Sequence, residues 1–256
     1  MKKKIIAIVL AAGEGKRMGS GIPKQYMIIK SRPMVYHSLK AFQESQVDEI
    51  VLVTGEDEIE YCRQYIVERY HFTKVTQIVA GGRERYESVY FGLKAITDAD
   101  YVLIHDGARP MINQKIIADS ISGIEKYGAC VVGVPAKDTI KVIDENEFAK
   151  ETPSRKSLWI VQTPQSFEYK LVLDAYEKLI NSGDETATDD AMVVEKYSGH
   201  KVKLIMGSYD NIKITTPEDV RISKAFFRTR KVFHYLHIIH DRIIWFQMKL
   251  YLLKKK

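Results

Sequence analysis

The feature that most constrains this chain is a recurring pair: a short apolar run followed by a longer stretch with helical spacing. Runs at Ile5–Leu10, Ile50–Thr54, Val75–Val79, Tyr101–Ile104 and Cys130–Val134 are apolar at most positions, as strands covered on both faces must be. Stretches at about 33–44, 57–70, 84–97 and 113–127 space their apolar residues with the period of a helix. This alternation predicts an α/β fold, a mostly parallel sheet with crossover helices on both faces. Glu56, Asp57 and Glu58 open the second helical stretch, where carboxylates suit the positive end of the helix dipole.

After Val134 the rhythm changes. Residues 137–157 are polar, and Ile140, Val142 and a central Asp-Glu-Asn turn predict an extended, exposed β-hairpin arm. A lone two-stranded ribbon is marginal in water, so the arm should lie against something, and a partner subunit is one candidate. A strand is expected at Leu158–Gln162, a helix near 168–182, and a second helix from Thr188, whose hydroxyl would cap it ahead of Asp189 and Asp190. Strands at 201–206 and 212–215 then lead to Thr216-Pro217-Glu218-Asp219, a helix opening with proline at the first position. Neither an internal repeat nor a linker is visible. The expectation is one domain over residues 1–228, followed by a tail over 229–256.

The charge distribution narrows the function classes. The chain has 256 residues and a formal net charge of +6, which invites a nucleic-acid partner. Residues 1–227, however, carry 31 basic and 32 acidic side chains, whereas residues 228–256 carry eight basic side chains and a single acid, Asp241. The body supplies no basic face, so nucleic acid is not an expected partner. In the tail, Val232, Leu236, Ile239, Ile243, Phe246, Leu250 and Leu253 fall on one helical seam. Such a tail is expected to pack on the body or on a partner tail, to rest as a basic amphipathic helix on a membrane surface, or to carry no selected function. Two widely separated cysteines, Cys62 and Cys130, form no metal motif and suit a reducing cytosol. The opening MKKKIIAIVLAAG runs straight into a charged glycine loop, which fits a first strand better than a signal peptide. No apolar run reaches the length of a membrane span, and the expected location is cytoplasmic.

The chemistry gathers where the first strand ends, in Leu10-Ala-Ala-Gly-Glu-Gly-Lys-Arg-Met-Gly19 followed by Pro23-Lys24-Gln25. Small residues at Ala11, Ala12, Gly13 and Gly15 let the backbone approach a ligand, and successive amides in such a turn form an anion-binding concavity. Arg17 and Lys24 add two positive charges. These parts suit a triphosphate. The glycine spacing is neither that of a dinucleotide fingerprint nor that of a Walker loop.

Taken with His105-Asp-Gly-Ala-Arg-Pro110, Gln162-Thr-Pro-Gln165, Thr188-Asp189 and the run from Asp210 to Asp219, this loop resembles the signature of the sugar-phosphate nucleotidyltransferases. The order and spacing of the motifs are similar to the methylerythritol phosphate cytidylyltransferase branch, over about residues 4–228. The resemblance implies that a polyol phosphate attacks the α-phosphorus of CTP and that pyrophosphate leaves. Charge then builds on the phosphoryl oxygens, so fixed cations are the main catalytic need. A general base is not required, since a phosphate monoester is already largely dianionic at neutral pH.

By the same resemblance, Arg17 and Lys24 are the transition-state cations. Ala11, Ala12, Gly13, Gly15, Gly82 and Ser88 bind CTP. Asp106 holds Mg²⁺ or a substrate hydroxyl, with Asp210 as a second metal ligand. Arg109, Thr139, Arg155, Thr163, Thr188 and Lys213 contact the acceptor, and Arg155 sits on the arm that crosses to the partner of a homodimer. Read alone, Asp106 equally caps a turn, Arg109 forms a surface ion pair, and the threonines serve sheet or cap. Arg83 stands where some relatives carry an acid and cannot accept from the cytosine amine. Glu84 and Arg85 equally read as a solvated helix start, and His37, His71, His105 and His200 as structural. A ribitol 5-phosphate cytidylyltransferase and a non-catalytic nucleotide-binding scaffold are the rival readings.

Overall fold

The computed structural model describes residues 2–13 and 23–227. Gly15, Arg17 and the tail from residue 228 lie outside the described residues. In chain order come β1 (Ile5–Ala11), the short ribbon β2 (Ile28–Ile29) and β3 (Arg32–Pro33), α1 (Met34–Gln43), β4 (Glu49–Thr54) and α2 (Ile59–Cys62). Next are β5 (Val75–Ala80), α3 (Arg85–Ala95), β6 (Tyr101–Asp106), α4 (Gln114–Tyr127) and β7 (Ala129–Pro135). The arm strands β8 (Val142–Ile143) and β9 (Ala149–Glu151) precede β10 (Trp159–Glu168), α5 (Tyr169–Ser182), α6 (Asp190–Ser198) and β11 (Lys203–Met206). Residues 217–227 are helical, with Pro217 at the first position.

The main sheet has seven strands in the order β11-β7-β10-β6-β1-β4-β5. All neighbours are parallel except β10, which runs antiparallel to β6 and β7. The chain leaves β1 toward β4 and β5, then returns to place β6 on its other side. That reversal opens a crevice at the carboxyl ends of β1 and β6, the place where open α/β sheets bind ligands.

Strand alternation divides the core. Ile5, Ala7 and Val9 face α1 and α4, packing with Val35, Leu39, Phe42, Ile117 and Ile121. Ile6 and Ile8 face α3 and α5, packing with Val89, Leu93, Val172 and Tyr176. Both faces of β1 are therefore covered, which accounts for its unbroken apolar run. Each such aliphatic side chain, fully buried, stabilises the fold by about 1.5–3 kcal/mol.

Four details depart from expectation. Residues 212–215 do not join the sheet; the Ile214 amide donates to the Ala108 carbonyl at 2.8 Å and its side chain is buried with Ile29 and Met34. Asp189, not Thr188, caps α6, because its carboxylate accepts from the Met192 amide at 2.8 Å at the positive end of that helix. The stretch expected as one helix over 57–70 is a 3₁₀ turn, α2 and then a π-helical segment, Arg63–Glu68. The strand expected to end at Gln162 continues to Glu168, shifting register on β7 between Val161 and Gln165.

The arm is present as expected. Its turn is held by Asp144, whose Oδ1 accepts from the amides of Asn146 and Phe148 at 2.9 and 3.0 Å. Ile143 and Phe148 remain 54% and 72% exposed. Among the described residues, no helix is long and apolar enough to cross a membrane.

Candidate active site

The crevice contains a cavity lined by Ala11, Ala12, Gly13, Lys24, Gly82, Ser88, Asp106 and Lys213, all eight expected from the sequence. Arg85 and Gln25 line it as well. Backbone ties gather its walls: the Gly107 amide donates to the Leu10 carbonyl, and the Gly81 amide to the Thr54 carbonyl, each at 2.8 Å. Lys24 lies on a 3₁₀ turn, Lys24–Tyr26, anchored by Tyr26. The Tyr26 hydroxyl donates to Glu58 Oε2 at 2.9 Å and lies 2.8 Å from Thr54 Oγ1. Burial pushes that phenol far above its ordinary pKa, so it remains a donor.

The wall formed by residues 81–88 depends on glycine at two positions, and a Cβ on the first, Gly81, would lie 2.4 Å from Ala12 Cβ. A Cβ on Gly82 would lie 2.3 Å from Glu87 Cβ, so only glycine fits there. Glu87 accepts from the amides of Arg83 and Glu84 at 2.6 and 3.2 Å, closing the N-terminus of α3. Arg83 is exposed and pairs with Glu87 at 3.4 Å.

Asp106 ends β6 and is the electrostatic centre of the cavity. Its Oδ1 faces Arg85 Nε at 3.2 Å, and its Oδ2 faces Lys213 Nζ at 2.9 Å and Arg109 Nε at 3.8 Å. Burial alone would raise its pKa; the cations of Arg85, Lys213 and Arg109 outweigh burial and hold the carboxyl well below the usual range. Lys213 reaches this point because the Ile214 amide is tied to Ala108.

Arg109 is mostly buried, and its terminal nitrogens donate to the carbonyls of Asn211 at 2.8 Å and Val161 at 3.5 Å. Thr163 is buried behind Asp106; its Oγ1 accepts from the Asp106 amide at 3.1 Å and lies 2.9 Å from His105 Nδ1. Thr188 is exposed beside Met192, and Asp210 lies in the turn after β11. Thr139 and Arg155 are exposed on the arm, where Arg155 Nη1 donates to the Lys137 carbonyl at 2.7 Å. None of these six residues (Arg109, Thr139, Arg155, Thr163, Thr188 and Asp210) lines the cavity.

Sequence reasoning missed Arg85 and its partner Asp190. Arg85 grips the fully buried Asp190 with both terminal nitrogens, at 2.7 and 2.8 Å. Desolvation opposes its charge, but Asp190 and Asp106 dominate and raise its pKa well above the ordinary value. The available signal was an arginine and an aspartate, each in the first turn of a helix beside a recognised motif. Their pairing across more than a hundred residues leaves no local pattern.

Residues 5–229 match the family 2-C-methyl-D-erythritol 4-phosphate cytidylyltransferase. The chain is 52% identical over 224 residues to the protein of that name from Lachnospira eligens, covering 87% of this chain and 98% of the relative. It is 48% identical over 231 residues to that of Lachnoclostridium phytofermentans, covering 90% and 99%. It is also similar to the solved structure of 4-diphosphocytidyl-2C-methyl-D-erythritol synthase from Anaerococcus prevotii. That likeness has a TM-score of 0.78 at 34% identity and covers 88% of this chain and 96% of the other.

Proposed function

The chain belongs to the 2-C-methyl-D-erythritol 4-phosphate cytidylyltransferase family, and from that premise we propose how its own residues serve the reaction. The enzyme transfers the cytidylyl group of CTP to 2-C-methyl-D-erythritol 4-phosphate, giving 4-diphosphocytidyl-2-C-methyl-D-erythritol and pyrophosphate. A phosphate oxygen of the acceptor bonds to the α-phosphorus, the bond from that phosphorus to the bridging oxygen breaks, and pyrophosphate carries away the electron pair. The observation that supports this cavity as the site is the convergence of Lys24, Asp106 and Lys213 at the carboxyl ends of β1 and β6.

Lys24 and Arg17 stabilise the charge that grows on the transferring phosphoryl group and its leaving group. Gly82 and Ser88 hold the cytosine against the wall beside α3. Lys213 binds phosphate oxygens where nucleotide and acceptor meet. Arg109, Thr163 and Thr188 support the acceptor side, with Thr163 acting from behind Asp106.

The donor set also fits a divalent cation carried in on the triphosphate, because Mg²⁺ is commonly held by one or two carboxylates plus substrate phosphates. Asp106, kept ionised, is the carboxylate for it; Asp210 stands outside the cavity lining. Held by Asp106, such a cation would supply charge neutralisation at the phosphates. The exposed apolar residues of the arm support a homodimer in which Arg155 and Thr139 complete the partner's site. The tail after residue 228 is expected to contact the body, a partner tail or a membrane surface.

Pyrophosphate release, measured with CTP and either methylerythritol phosphate or ribitol 5-phosphate, tests the reading. Turnover with the first acceptor is expected; turnover with ribitol 5-phosphate alone would reject it.

A further inference from the structure

Arg85 joins two carboxylates that come from different elements. Both of its terminal nitrogens are taken by Asp190, and Asp190 Oδ1 also accepts from the buried Tyr176 hydroxyl at 2.5 Å. A guanidinium is planar, so fixing its two terminal nitrogens also fixes the direction of the N–H on Nε. That N–H, on Nε, meets Asp106 Oδ1 at 3.2 Å. The other Asp106 oxygen faces Lys213 Nζ at 2.9 Å. A continuous series thus runs from Tyr176 on α5 through Asp190, Arg85 and Asp106 to Lys213 at the cavity, with charges alternating along it.

We propose that Arg85 is a positioning residue for cytidylyl transfer: anchored by Asp190, it orients the carboxylate of Asp106 and, through it, the ammonium of Lys213. The inference rests on the function proposed above for this cavity. Stability alone does not account for the arrangement, because the desolvation cost of a buried ion pair offsets much of its attraction, and a well-packed apolar pair often serves as well. Apolar side chains between α3 and α6 would have no means of orienting a carboxylate at the cavity edge. Lysine in place of Arg85 would keep the charge but not the fork that aims Nε.

The test compares Arg85→Lys, Asp190→Asn and the double variant with the wild type, with melting temperatures to establish folding. Arg85→Lys is expected to lower kcat about 10-fold or more, since small misplacements of reacting groups are costly. KM for CTP should stay within about threefold, because the loss concerns the reaction more than ground-state binding. Asp190→Asn should cause a similar fall alone, but less than about twofold in the Arg85→Lys background, because both changes break one link. A folded Arg85→Lys enzyme with wild-type kcat, or effects of the two substitutions that simply multiply, would overturn the proposal. If Arg85→Lys and Asp190→Asn both fail to fold, Tyr176→Phe decides: a lowered kcat with unchanged KM is expected, and wild-type kcat overturns it. A wild-type protein that releases no pyrophosphate from CTP and methylerythritol phosphate would instead reject the function itself.

Discussion

Ser88 and Gly82 are joined by a hydrogen bond in which the Gly82 amide donates to Ser88 Oγ at 3.0 Å. The same hydroxyl donates to the Glu84 carbonyl at 3.2 Å. A hydroxyl has one proton and two acceptor lone pairs, so Ser88 retains one lone pair, which suits the cytosine amine. Ser88 thereby shapes the glycine wall and, in the proposed function, would also offer the base an acceptor.

Ser88→Ala removes both the tie and the acceptor. At about 1–1.5 kcal/mol for a lost hydrogen bond, KM for CTP should rise roughly 10-fold, with a smaller change in kcat. Steady-state kinetics with CTP varied at saturating acceptor provide the check. An unchanged KM would remove Ser88 from base recognition.

His105 gives the fold a specific pH dependence. It is fully buried, with Nε2 3.3 Å from the Arg109 carbonyl and Nδ1 2.9 Å from Thr163 Oγ1. A carbonyl only accepts, so Nε2 carries the proton and Nδ1 accepts from the Thr163 hydroxyl. Burial, aided by the Arg109 cation and opposed by Asp106, pushes the imidazole down to about 4. Between about pH 6.5 and pH 4 the unfolded chain therefore binds a proton that the folded chain refuses, and stability falls as pH falls. The loss is on the order of 3 kcal/mol across that window and absent above it. Urea unfolding at pH 7 and pH 5 should show a flatter pH dependence for His105→Gln than for the wild type. Equal slopes would mean that His105 titrates normally.

In the proposed function, substitution of Asp106 should separate binding from turnover. Asp106→Asn removes the carboxylate that Lys213 and Arg109 face, while Arg85 keeps Asp190, so the cavity becomes more positive and KM for CTP should not rise. Neutral asparagine orients Lys213 poorly and is a weak ligand for a divalent cation, and kcat should fall about 10²–10³-fold. Chelation by EDTA should abolish wild-type turnover, and added Mg²⁺ should restore it. Full activity in EDTA would exclude the metal requirement, and wild-type kcat in Asp106→Asn would exclude the role of the carboxylate.

Much of this architecture is legible in the sequence because its signals are local. The apolar runs of β1, β4, β6 and β7 report burial on both faces, and Pro217 reports a helix start; the run of β5, the edge strand, is only half-buried. The loop after β1 and Asp106 after β6 are local motifs, and the switch between those strands brings them to one crevice. What escapes is whatever depends on distant partners. Residues 212–215 have a strand-like pattern because Ile214 is buried, yet the Ile214 amide finds a loop carbonyl instead of a strand. Thr188 and Asp189 are both good caps by type, and only the placement of their side chains selects Asp189. Arg85 reads as a surface arginine until the fold brings Asp190 to it.

The arm carries the last prediction. Phe148 and Ile143 stand exposed on a ribbon too small to be stable on its apolar contacts alone, and Arg155 lies at its base, outside the lining of the chain's own cavity. If the arm completes a partner's site, the wild type should sediment at twice the chain mass, and Phe148→Glu should yield monomers with little turnover. Arg155→Ala and Lys213→Ala should each be inactive alone. Mixed in equal amounts under conditions that exchange subunits, they form some dimers with one intact site, and roughly a quarter of wild-type activity should return by two-fold symmetry. Recovery requires that Arg155 act across the interface, since an Arg155 serving its own chain would leave every site of the mixed dimer defective. A fully active wild-type monomer, or mixtures that stay inactive after verified exchange, would exclude the shared site.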